Sequence, residues 1–433
     1  MNVHDSEQIC ALLEGEEYEM TKDAQTADLI IINTCSIREK AAQKAYSQLG
    51  RYRALKQKND SLIIGVGGCL AQELGHTFYK KFPHVDFIFG THNINKLPEI
   101  LKKIELYGER VTETDFRESV KSIGIFALPD NGSLSAFVTI MQGCNNFCSY
   151  CVVPYLRGRE ESRPLQDIID EIHFLVDHGV KEVTLLGQNV NSYGHTISED
   201  TNFPSLLRKI GKINGIERIR FTTSHPKDLS EDLIRCYGEI AQLCEHIHLP
   251  VQSGADRILK KMNRKYTAKD YLNKVDRLRA QCPAISITSD VIVGFPGETQ
   301  EDFKSTLALM DYVMFDNLFS FKYSERKGTK ALKCDSKVPE PVKLERLKLL
   351  QAKQEEHTFR RNKVLKGRIE EILVEGISKN CQNDLTGRTR SNKIANFKGT
   401  TELIGKMVPV VIKEPYLHSL RAELITEGEV QAC

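Results

Sequence analysis

The feature that most constrains the fold is an alternation of short apolar runs with helix-length segments, which continues from residue 29 to about residue 323. Runs such as Leu29–Ile32 are apolar at every position, as in strands that are buried on both faces of a parallel sheet. A chain in which strands alternate with helices is predicted to belong to the α/β class. Its ligands are expected beyond the carboxyl ends of the strands.

Residues 1–125 predict a doubly wound, Rossmann-like N-terminal domain. Cys35 and Cys69 follow its first two strands, so neighbouring strands would bring the two sulfurs close together. Ser36 and Glu39 match a capping box, which places Cys35 at a helix N-terminus, where the dipole favours a thiolate. Cys35 and Cys69 are therefore predicted ligands of a second site. The three strands are expected at Leu29–Ile32, Leu62–Val66 and Val85–Phe89.

The start of this domain lacks a strand. A first helix is predicted at Glu7–Leu13, with Asp5 or Ser6 as its cap, and no apolar run precedes it. Residues Met1–His4 are expected to form the loop that follows a strand. We therefore expect the first βα unit to begin upstream of Met1.

Residues 130–362 continue the alternation, with helices of ten or more residues such as Leu165–His178 and Thr299–Tyr312. This pattern predicts a parallel sheet that closes into a full or partial (βα)6 barrel, with reactive groups at the strand C-termini. Six strands are expected, at Ala136–Met141, Glu182–Leu186, Arg218–Phe221, His246–Leu249, Ser286–Val293 and Leu318–Lys322.

The C-terminal third has a different character. A charged helix from Pro341 to about Val364 is followed, over residues 365–430, by five short strand-like segments with Gly and Asn between them. They predict a small antiparallel β-barrel, comparable in size to OB-type nucleic-acid binders. Between Lys343 and Lys398 there are 14 Lys and Arg against 7 Asp and Glu. This basic excess favours a nucleic-acid partner, or a solvated helix face.

Composition restricts the class of protein further. No apolar run approaches the roughly 18 residues that cross a bilayer, and the N-terminus has no signal-peptide pattern. The chain is therefore expected to be cytoplasmic, without a membrane partner. Twelve cysteines in a reducing compartment indicate metal ligation or redox chemistry for the clustered ones, rather than a disulfide framework.

The strongest chemical signal is the spacing C-x3-C-x2-C formed by Cys144, Cys148 and Cys151. Three thiolates can bind three irons of a 4Fe-4S cube and leave the fourth iron open. An open iron can chelate S-adenosylmethionine, and one electron then breaks its C–S bond to give a 5′-deoxyadenosyl radical. The alternative is a structural zinc site, which normally requires a fourth protein ligand, and no second Cys or His pair lies nearby.

This loop resembles that of the radical S-adenosylmethionine superfamily, and its surroundings resemble the methylthiotransferase family, in particular the branch that modifies tRNA. The resemblance covers essentially the whole chain. It is carried by the segments Asn33–Ala41, Gly67–Gln72, Cys151–Gly158, Leu186–Gly194, Thr222–Pro226, Gly387–Arg390 and Ser419–Arg421. The last two resemble a terminal TRAM domain.

The resemblance implies a division of labour among the three domains. The barrel cluster would make a radical that acts at C2 of N6-isopentenyladenosine next to the tRNA anticodon. An auxiliary 4Fe-4S cluster in the N-terminal domain would present sulfur, methylated by a second S-adenosylmethionine, and the TRAM barrel would grip the anticodon arm. The family has three auxiliary ligands, so Cys35 and Cys69 would need a third cysteine, which is expected upstream of Met1. An electron donor such as flavodoxin or ferredoxin, a sulfur source and a monomeric state are also expected.

Further residues are candidates for binding cofactor and RNA. Arg157 and Arg159, beside the cysteine loop, are candidates for holding a carboxylate or phosphate. Phe397 is a candidate for base stacking. The candidates for the S-adenosylmethionine site are Tyr150, Gln188, Asn189, Gln252, Asp290, Gly294 and Gly297. Those for phosphate contacts are Arg388, Arg390, Lys393 and Arg421.

Two other functions remain open at this point. A sister methylthiotransferase would act on threonylcarbamoyl-adenosine in tRNA, although the branch segments favour the isopentenyl substrate. An RNA-binding protein with a purely structural cluster belongs to another class. Formation of 5′-deoxyadenosine would distinguish an enzyme from that binding protein.

Overall fold

The N-terminal region is a four-stranded parallel sheet in the order β1-β2-β3-β4, covered by helices on both faces. Ile30 and Ile32 pack with α2 and α3 on one face, and Phe87 and Phe89 pack with α1 and α5 on the other. This is the predicted doubly wound arrangement. Its elements are α1 (Asn2–Glu14), β1 (Leu29–Thr34), α2 (Glu39–Lys58), β2 (Ile63–Gly68), α3 (Cys69–Leu74), α4 (Thr77–Lys81), β3 (Phe87–Phe89), α5 (Leu97–Tyr107) and β4 (Val111–Glu113).

The structure is a computed structural model. It describes residues 1–35, 39–116, 126–129, 132–197, 201–379 and 381–425. The capping box predicted at Ser36 lies outside these residues.

The first helix corrects one sequence prediction. Residues Met1–His4 are not a loop, because α1 begins at Asn2 and the amide of Asp5 donates to the carbonyl of Met1 over 2.6 Å. Asp5 does not cap the helix. Its carboxylate lies inside the protein and accepts a hydrogen bond from Arg157, a contact between distant parts of the chain that local capping rules do not include.

The central region is a partial barrel of six parallel strands in chain order, as predicted. β5, β8 and β9 form one sheet, β10, β11 and β12 form another, and backbone hydrogen bonds of Ile219 to Gln242 and Cys244 connect them. Two further short strands, β6 and β7, pair beside the cysteine loop. The elements are β5 (Ser135–Thr139), β6 (Met141–Gln142), α6 (Val153–Leu156), β7 (Glu161–Ser162), α7 (Leu165–Asp177), β8 (Glu182–Leu186), α8 (Phe203–Ile210), β9 (Arg218–Phe221), α9 (Glu231–Glu239), β10 (His246–His248), α10 (Asp256–Lys261), α11 (Ala268–Gln281), β11 (Ser286–Val293), α12 (Gln300–Val313), β12 (Asn317–Lys322) and α13 (Glu340–Lys363).

The terminal region is a closed five-stranded barrel in the order β13-β14-β15-β17-β16. Its pairs are antiparallel except β15 with β17, which run parallel, so the predicted antiparallel pattern needs this one correction. Phe397 is fully buried in the barrel core and is not available for base stacking, contrary to the prediction. The strands are β13 (Ile369–Ile377), β14 (Asp384–Thr389), β15 (Ile394–Lys398), β16 (Met407–Pro415) and β17 (Leu420–Leu424).

Two buried arginines of β9 join the central and terminal barrels. The guanidinium of Arg218 donates to the carbonyls of Arg388 (2.6 Å) and Glu371 (2.8 Å). That of Arg220 donates to the carbonyls of Thr389 (2.8 Å) and Arg390 (3.0 Å). Hydrogen bonds from a charged donor are stronger than those between neutral groups, so these four bonds stabilise the packing of the terminal barrel against the central one.

In the part of the chain that the structure describes, no helix is both long enough and apolar enough to cross a membrane.

Candidate active site

The cysteine loop leaves the first barrel strand through Gly143, whose φ is +78°. A Cβ atom at this position would lie 1.9 Å from the carbonyl oxygen of Arg159, so only glycine fits. The amide of Gly143 donates to Oε1 of Gln188 over 2.5 Å, and the amide of Cys144 donates to the carbonyl of Gly158 over 3.2 Å. These contacts with Gln188 and Gly158 hold the loop in place at its first cysteine, Cys144.

Asn263, a residue that the sequence did not single out, holds the middle of the loop. Phe147 adopts a φ of +46°. The side-chain amide of Asn263 donates to the two carbonyls that flank the Cα of Phe147, those of Asn146 (3.1 Å) and of Phe147 itself (3.0 Å). The amide of Ser149 also donates to the carbonyl of Met262 over 3.0 Å. These bonds stabilise a backbone shape that non-glycine residues rarely adopt.

The three cysteines of the loop line one cavity of about 320 Å³. The cavity lies beyond the carboxyl ends of the barrel strands, and it reaches the N-terminal sheet. Its lining consists of Met1, Asn2, Cys69, Cys144, Asn146, Cys148, Tyr150, Cys151, Val152, Val153, Leu156, Arg157, Gly187, Gln188, Thr223, Ser224, His225, Pro250, Gln252, Arg264 and Asp290.

The thiols of this loop influence one another electrostatically. Burial raises the pKa of Cys144, and burial together with the neighbouring Cys148 raises the pKa of Cys151 to about 12. The free thiols of Cys144 and Cys151 therefore hold their protons at neutral pH, and a metal that binds them must displace those protons.

Arg264 supplies positive charge at the loop. Its Nη1 lies 3.5 Å from Sγ of Cys148, and its other nitrogens donate to the carbonyl of Pro250 (2.6 Å) and the hydroxyl of Tyr266 (2.9 Å). These bonds fix the buried guanidinium, so its positive charge stays beside the sulfur of Cys148.

These residues fit an iron–sulfur cluster, because one buried and two half-buried cysteines share a cavity with a fixed cation. Among the described residues, no three His, Cys, Asp or Glu side chains converge closely enough to share a single metal ion. Three thiolates that each bind a different iron of a cube need not converge in that way.

Four of the seven predicted S-adenosylmethionine contacts line the cavity, namely Tyr150, Gln188, Gln252 and Asp290. The phenol ring of Tyr150 packs edge-on against Phe295, with the ring centroids 6.5 Å apart. A carboxylate oxygen of Asp290 lies 3.4 Å from Nε2 of His248. The structure thus brings these four side chains to the cysteine loop.

The other three candidates lie outside the cavity lining. Asn189 donates to Ser192 (2.9 Å) and to Asp228 (2.7 Å), so its amide shapes the loop after β8. Gly294 and Gly297 have φ values of +69° and +80° and form the turn after β11, packed against lysine side chains. Their conformation explains the glycines without a ligand.

The second cysteine pair lies at the edge of the N-terminal sheet. β1 and β2 pair in parallel with Thr34 opposite Gly68, so the residues that follow, Cys35 and Cys69, are neighbours as the sequence predicted. The Cys69 thiol is hydrogen-bonded to that of Cys35, and this bond together with burial raises the pKa of Cys69. Cys69 lines the same cavity as the cysteine loop.

The four predicted phosphate contacts are all engaged in ion pairs within the chain. Two pairs lie within the terminal barrel, Arg388 with Glu375 (2.9 Å) and Arg421 with Asp384. The two others join it to the central barrel, and they are Arg390 with Glu245 (2.8 Å) and Lys393 with Asp316 (2.8 Å). Arg390 and Lys393 are therefore part of an interface that the sequence did not predict.

Comparisons with known proteins give three family matches along the chain. Residues 1–90 match the uncharacterized protein family UPF0004, residues 138–310 match the radical SAM superfamily, and residues 363–425 match the TRAM domain.

Curated relatives match over nearly the full length. The chain is 65% identical over 432 residues to a tRNA-2-methylthio-N(6)-dimethylallyladenosine synthase of Syntrophus aciditrophicus (strain SB), covering 100% of this chain and 94% of that protein. A protein of the same name from Syntrophobacter fumaroxidans (strain DSM 10017 / MPOB) is 49% identical, covering 99% of this chain and 94% of the relative.

Solved structures agree in fold. The radical S-adenosylmethionine methyltransferase TsrM from Kitasatospora setae has a TM-score of 0.54 at 16% identity, over 73% of this chain and 69% of that chain. The cobalamin-dependent S-adenosylmethionine radical enzyme OxsB has a TM-score of 0.51 at 12% identity, over 71% of this chain and 49% of that chain. Identities this low establish a shared fold alone.

Proposed function

Since this chain belongs to the tRNA-2-methylthio-N(6)-dimethylallyladenosine synthase family of the radical SAM superfamily, we propose that it is a tRNA methylthiotransferase. Its substrate is N6-isopentenyladenosine next to the anticodon, which receives a methylthio group at C2. The observation that carries the proposal is that Cys69 of the N-terminal sheet and Cys144, Cys148 and Cys151 of the barrel line one cavity.

In this proposal the loop cysteines hold a 4Fe-4S cluster, and Cys35 and Cys69 contribute to an auxiliary one. When bound, the first cluster supplies the electron that cleaves S-adenosylmethionine, and the second supplies sulfur. The remaining residues support this chemistry. Asn263 keeps the loop in shape, and Arg264 places a positive charge beside the sulfur of Cys148.

The terminal barrel is proposed to bind the anticodon arm. Arg388 and Arg421 are its phosphate contacts, since their side chains are 35% and 31% exposed. Arg390 and Lys393 are 24% and 13% exposed, and they fix the orientation of the barrel. RNA bound there would be presented to the central cavity by a rigid support.

We also propose that the chain works in the cytoplasm as a monomer. Its partners are a small electron-transfer protein such as flavodoxin or ferredoxin and a separate sulfur source. Its domains span residues 1–125, 130–362 and 365–430.

Nucleoside mass analysis of tRNA tests the proposal. A strain that lacks the gene is complemented with the wild-type chain, with Cys148→Ala, or with Cys334→Ala as a matched control for a single cysteine outside the cavity lining. The proposal predicts that the wild type and Cys334→Ala restore the methylthio nucleoside and that Cys148→Ala leaves isopentenyladenosine. Restoration by Cys148→Ala would contradict it.

A further inference from the structure

The loop after β9 contains a histidine that the functions above do not use. His225 is 5% exposed and lines the cavity. Its Nδ1 accepts a hydrogen bond from the amide of Lys227 over 3.1 Å. A neutral imidazole that accepts at Nδ1 carries its hydrogen at Nε2. The loop geometry therefore fixes the tautomer, and Nε2 is a hydrogen-bond donor.

This donor has no acceptor among the described residues. Burial, together with the nearby charges of Arg264, Lys227 and Lys274, lowers the pKa of His225 to about 2. The imidazole is thus neutral at working pH, and its Nε2–H is a permanent donor rather than a titrating group. A buried polar group without a partner is costly, which points to a ligand that completes it.

Two other buried atoms of the cavity wall share this property. Within the described part of the chain, Oγ of Ser224 and Oε1 of Gln252 also have no hydrogen-bond partner. Ser224 is 4% exposed and Gln252 is 6% exposed, and both line the cavity. Their backbones are fixed by bonds from their amides to the carbonyls of His248 (3.4 Å) and Asp290 (2.8 Å).

The chemistry of the three side chains identifies the class of ligand. They carry no net charge, and the nearby Arg264 is already committed to Cys148, Pro250 and Tyr266. A carboxylate or phosphate would therefore find no free cation in this set. A fixed imidazole N–H beside a side-chain amide and a hydroxyl instead matches a neutral ligand. The hydrogen-bonding edge of that ligand would carry an acceptor next to a donor. Adenine has such an edge, with a ring nitrogen next to N6–H, and glutamine pairs with it in a bidentate manner.

We propose that His225, Ser224 and Gln252 form a recognition site for the hydrogen-bonding edge of an adenine, with His225 Nε2–H donating to a ring nitrogen. This inference rests on the proposed function, which brings two adenines to the cavity, that of the RNA and that of S-adenosylmethionine. The shared chemistry is the adenine edge, and the experiment distinguishes the two sources.

Two isosteric variants separate the roles of the two ring nitrogens. His225→Asn keeps an acceptor near Nδ1 for the amide of Lys227 and loses the cavity donor. His225→Gln reaches the position of Nε2 and keeps a donor there. Ser224→Ala is a second test that needs no change at the histidine, and His173→Asn, on the exposed side of α7, is the control for a histidine outside the site.

The measurement is equilibrium binding to the anaerobically reconstituted full chain. The ligands are S-adenosylmethionine, an anticodon stem-loop that carries isopentenyladenosine, and the same stem-loop with an abasic sugar at that position. We expect His225→Asn to bind one adenine ligand about three- to tenfold more weakly, as loss of one buried hydrogen bond implies. His225→Gln and His173→Asn should bind it within about twofold of the wild type, and Ser224→Ala should weaken the same ligand.

The outcomes separate this inference from the proposed function. Loss confined to the base-containing stem-loop assigns the site to the RNA adenine, and loss confined to S-adenosylmethionine assigns it to the cofactor. Unchanged binding of both ligands in His225→Asn and Ser224→Ala, or an equal loss with abasic RNA, overturns the inference. Failure of the wild type to bind either stem-loop would contradict the proposed function, while the S-adenosylmethionine titration would still decide the inference.

Discussion

Arg157 donates a hydrogen bond from Nη2 to Oδ2 of Asp5 over 2.7 Å, between residues 152 positions apart. Both side chains are buried, and Arg157 also contacts Cys69. Burial alone would lower the pKa of Arg157, but Asp5 and Cys69 raise it above its usual value. This pair connects the cysteines of the N-terminal sheet to the chain that leaves the barrel loop.

Removal of one partner of this pair should destabilise the protein. Arg157→Met or Asp5→Leu would each leave a buried charge without its partner, which typically costs about 3–5 kcal/mol. The double variant should lose less than the sum of the two single variants, because it buries no orphan charge. Urea unfolding of the four chains measures this coupling. Additive losses would show that the two side chains do not interact.

Gly143→Ala should remove the loop cluster, since the added Cβ would collide with the carbonyl of Arg159. Iron analysis after anaerobic reconstitution should show about four fewer iron atoms per chain than in the wild type, as expected for loss of one 4Fe-4S cluster. Gly179→Ala is the matched control, because Gly179 has a φ of +88° and a Cβ added there would meet no heavy atom within 4 Å. Equal iron in both variants would be evidence against the loop as a ligand site.

Arg388 and Arg390 should differ in how they affect RNA binding. If Arg388 contacts a phosphate, Arg388→Met releases one counterion fewer on binding. The plot of log affinity against log salt concentration should then be less steep by about 0.7–0.9. Arg390 pairs with Glu245 across the two barrels, so Arg390→Met should weaken binding with an unchanged slope. Anisotropy titrations of a labelled anticodon arm at several salt concentrations measure both. The reverse pattern would exchange the two roles.

His225 should make stability depend on pH. Its folded pKa of about 2 lies below the unfolded value of about 6.5, so below pH 6.5 the unfolded chain binds a proton that the folded chain does not. Stability should therefore decrease as the pH falls from 6.5, with this group contributing up to about 1.4 kcal/mol per pH unit. In His225→Gln that contribution is absent. Denaturant unfolding between pH 7 and pH 5 compares the two chains, and parallel curves would contradict the expectation.

Much of the fold could be predicted from the sequence because strand-length segments alternate with helix-length ones along the chain. The strands Glu182–Leu186, Arg218–Phe221 and Ser286–Val293 have the predicted bounds. Their β-branched and aromatic residues, placed between helix-length segments, are a local signal. The predicted start of α1 was wrong because Asp5, a residue type that often caps helices, instead accepts a hydrogen bond from the distant Arg157. Pairing between remote segments leaves no trace in a local pattern.

The same reasoning applies to the candidate site. The cysteine loop could be recognised because its three cysteines lie within a span of eight residues. Asn263 and Arg264 contact that loop from 116 positions away, and nothing in their own neighbourhood distinguishes them. For the basic residues of the terminal barrel, the sequence signal is charge alone. Charge does not distinguish a free surface lysine from one such as Lys393, which is paired across an interface.

In the proposed function, the three loop cysteines hold a cluster that cleaves S-adenosylmethionine to modify an adenosine of tRNA. Its most direct test is a single-turnover reaction of the anaerobically reconstituted chain with S-adenosylmethionine, dithionite and an isopentenylated anticodon stem-loop, followed by mass analysis. We expect 5′-deoxyadenosine together with RNA that has gained one methylthio group in place of a hydrogen. Zinc in the loop, with neither product formed, would contradict it.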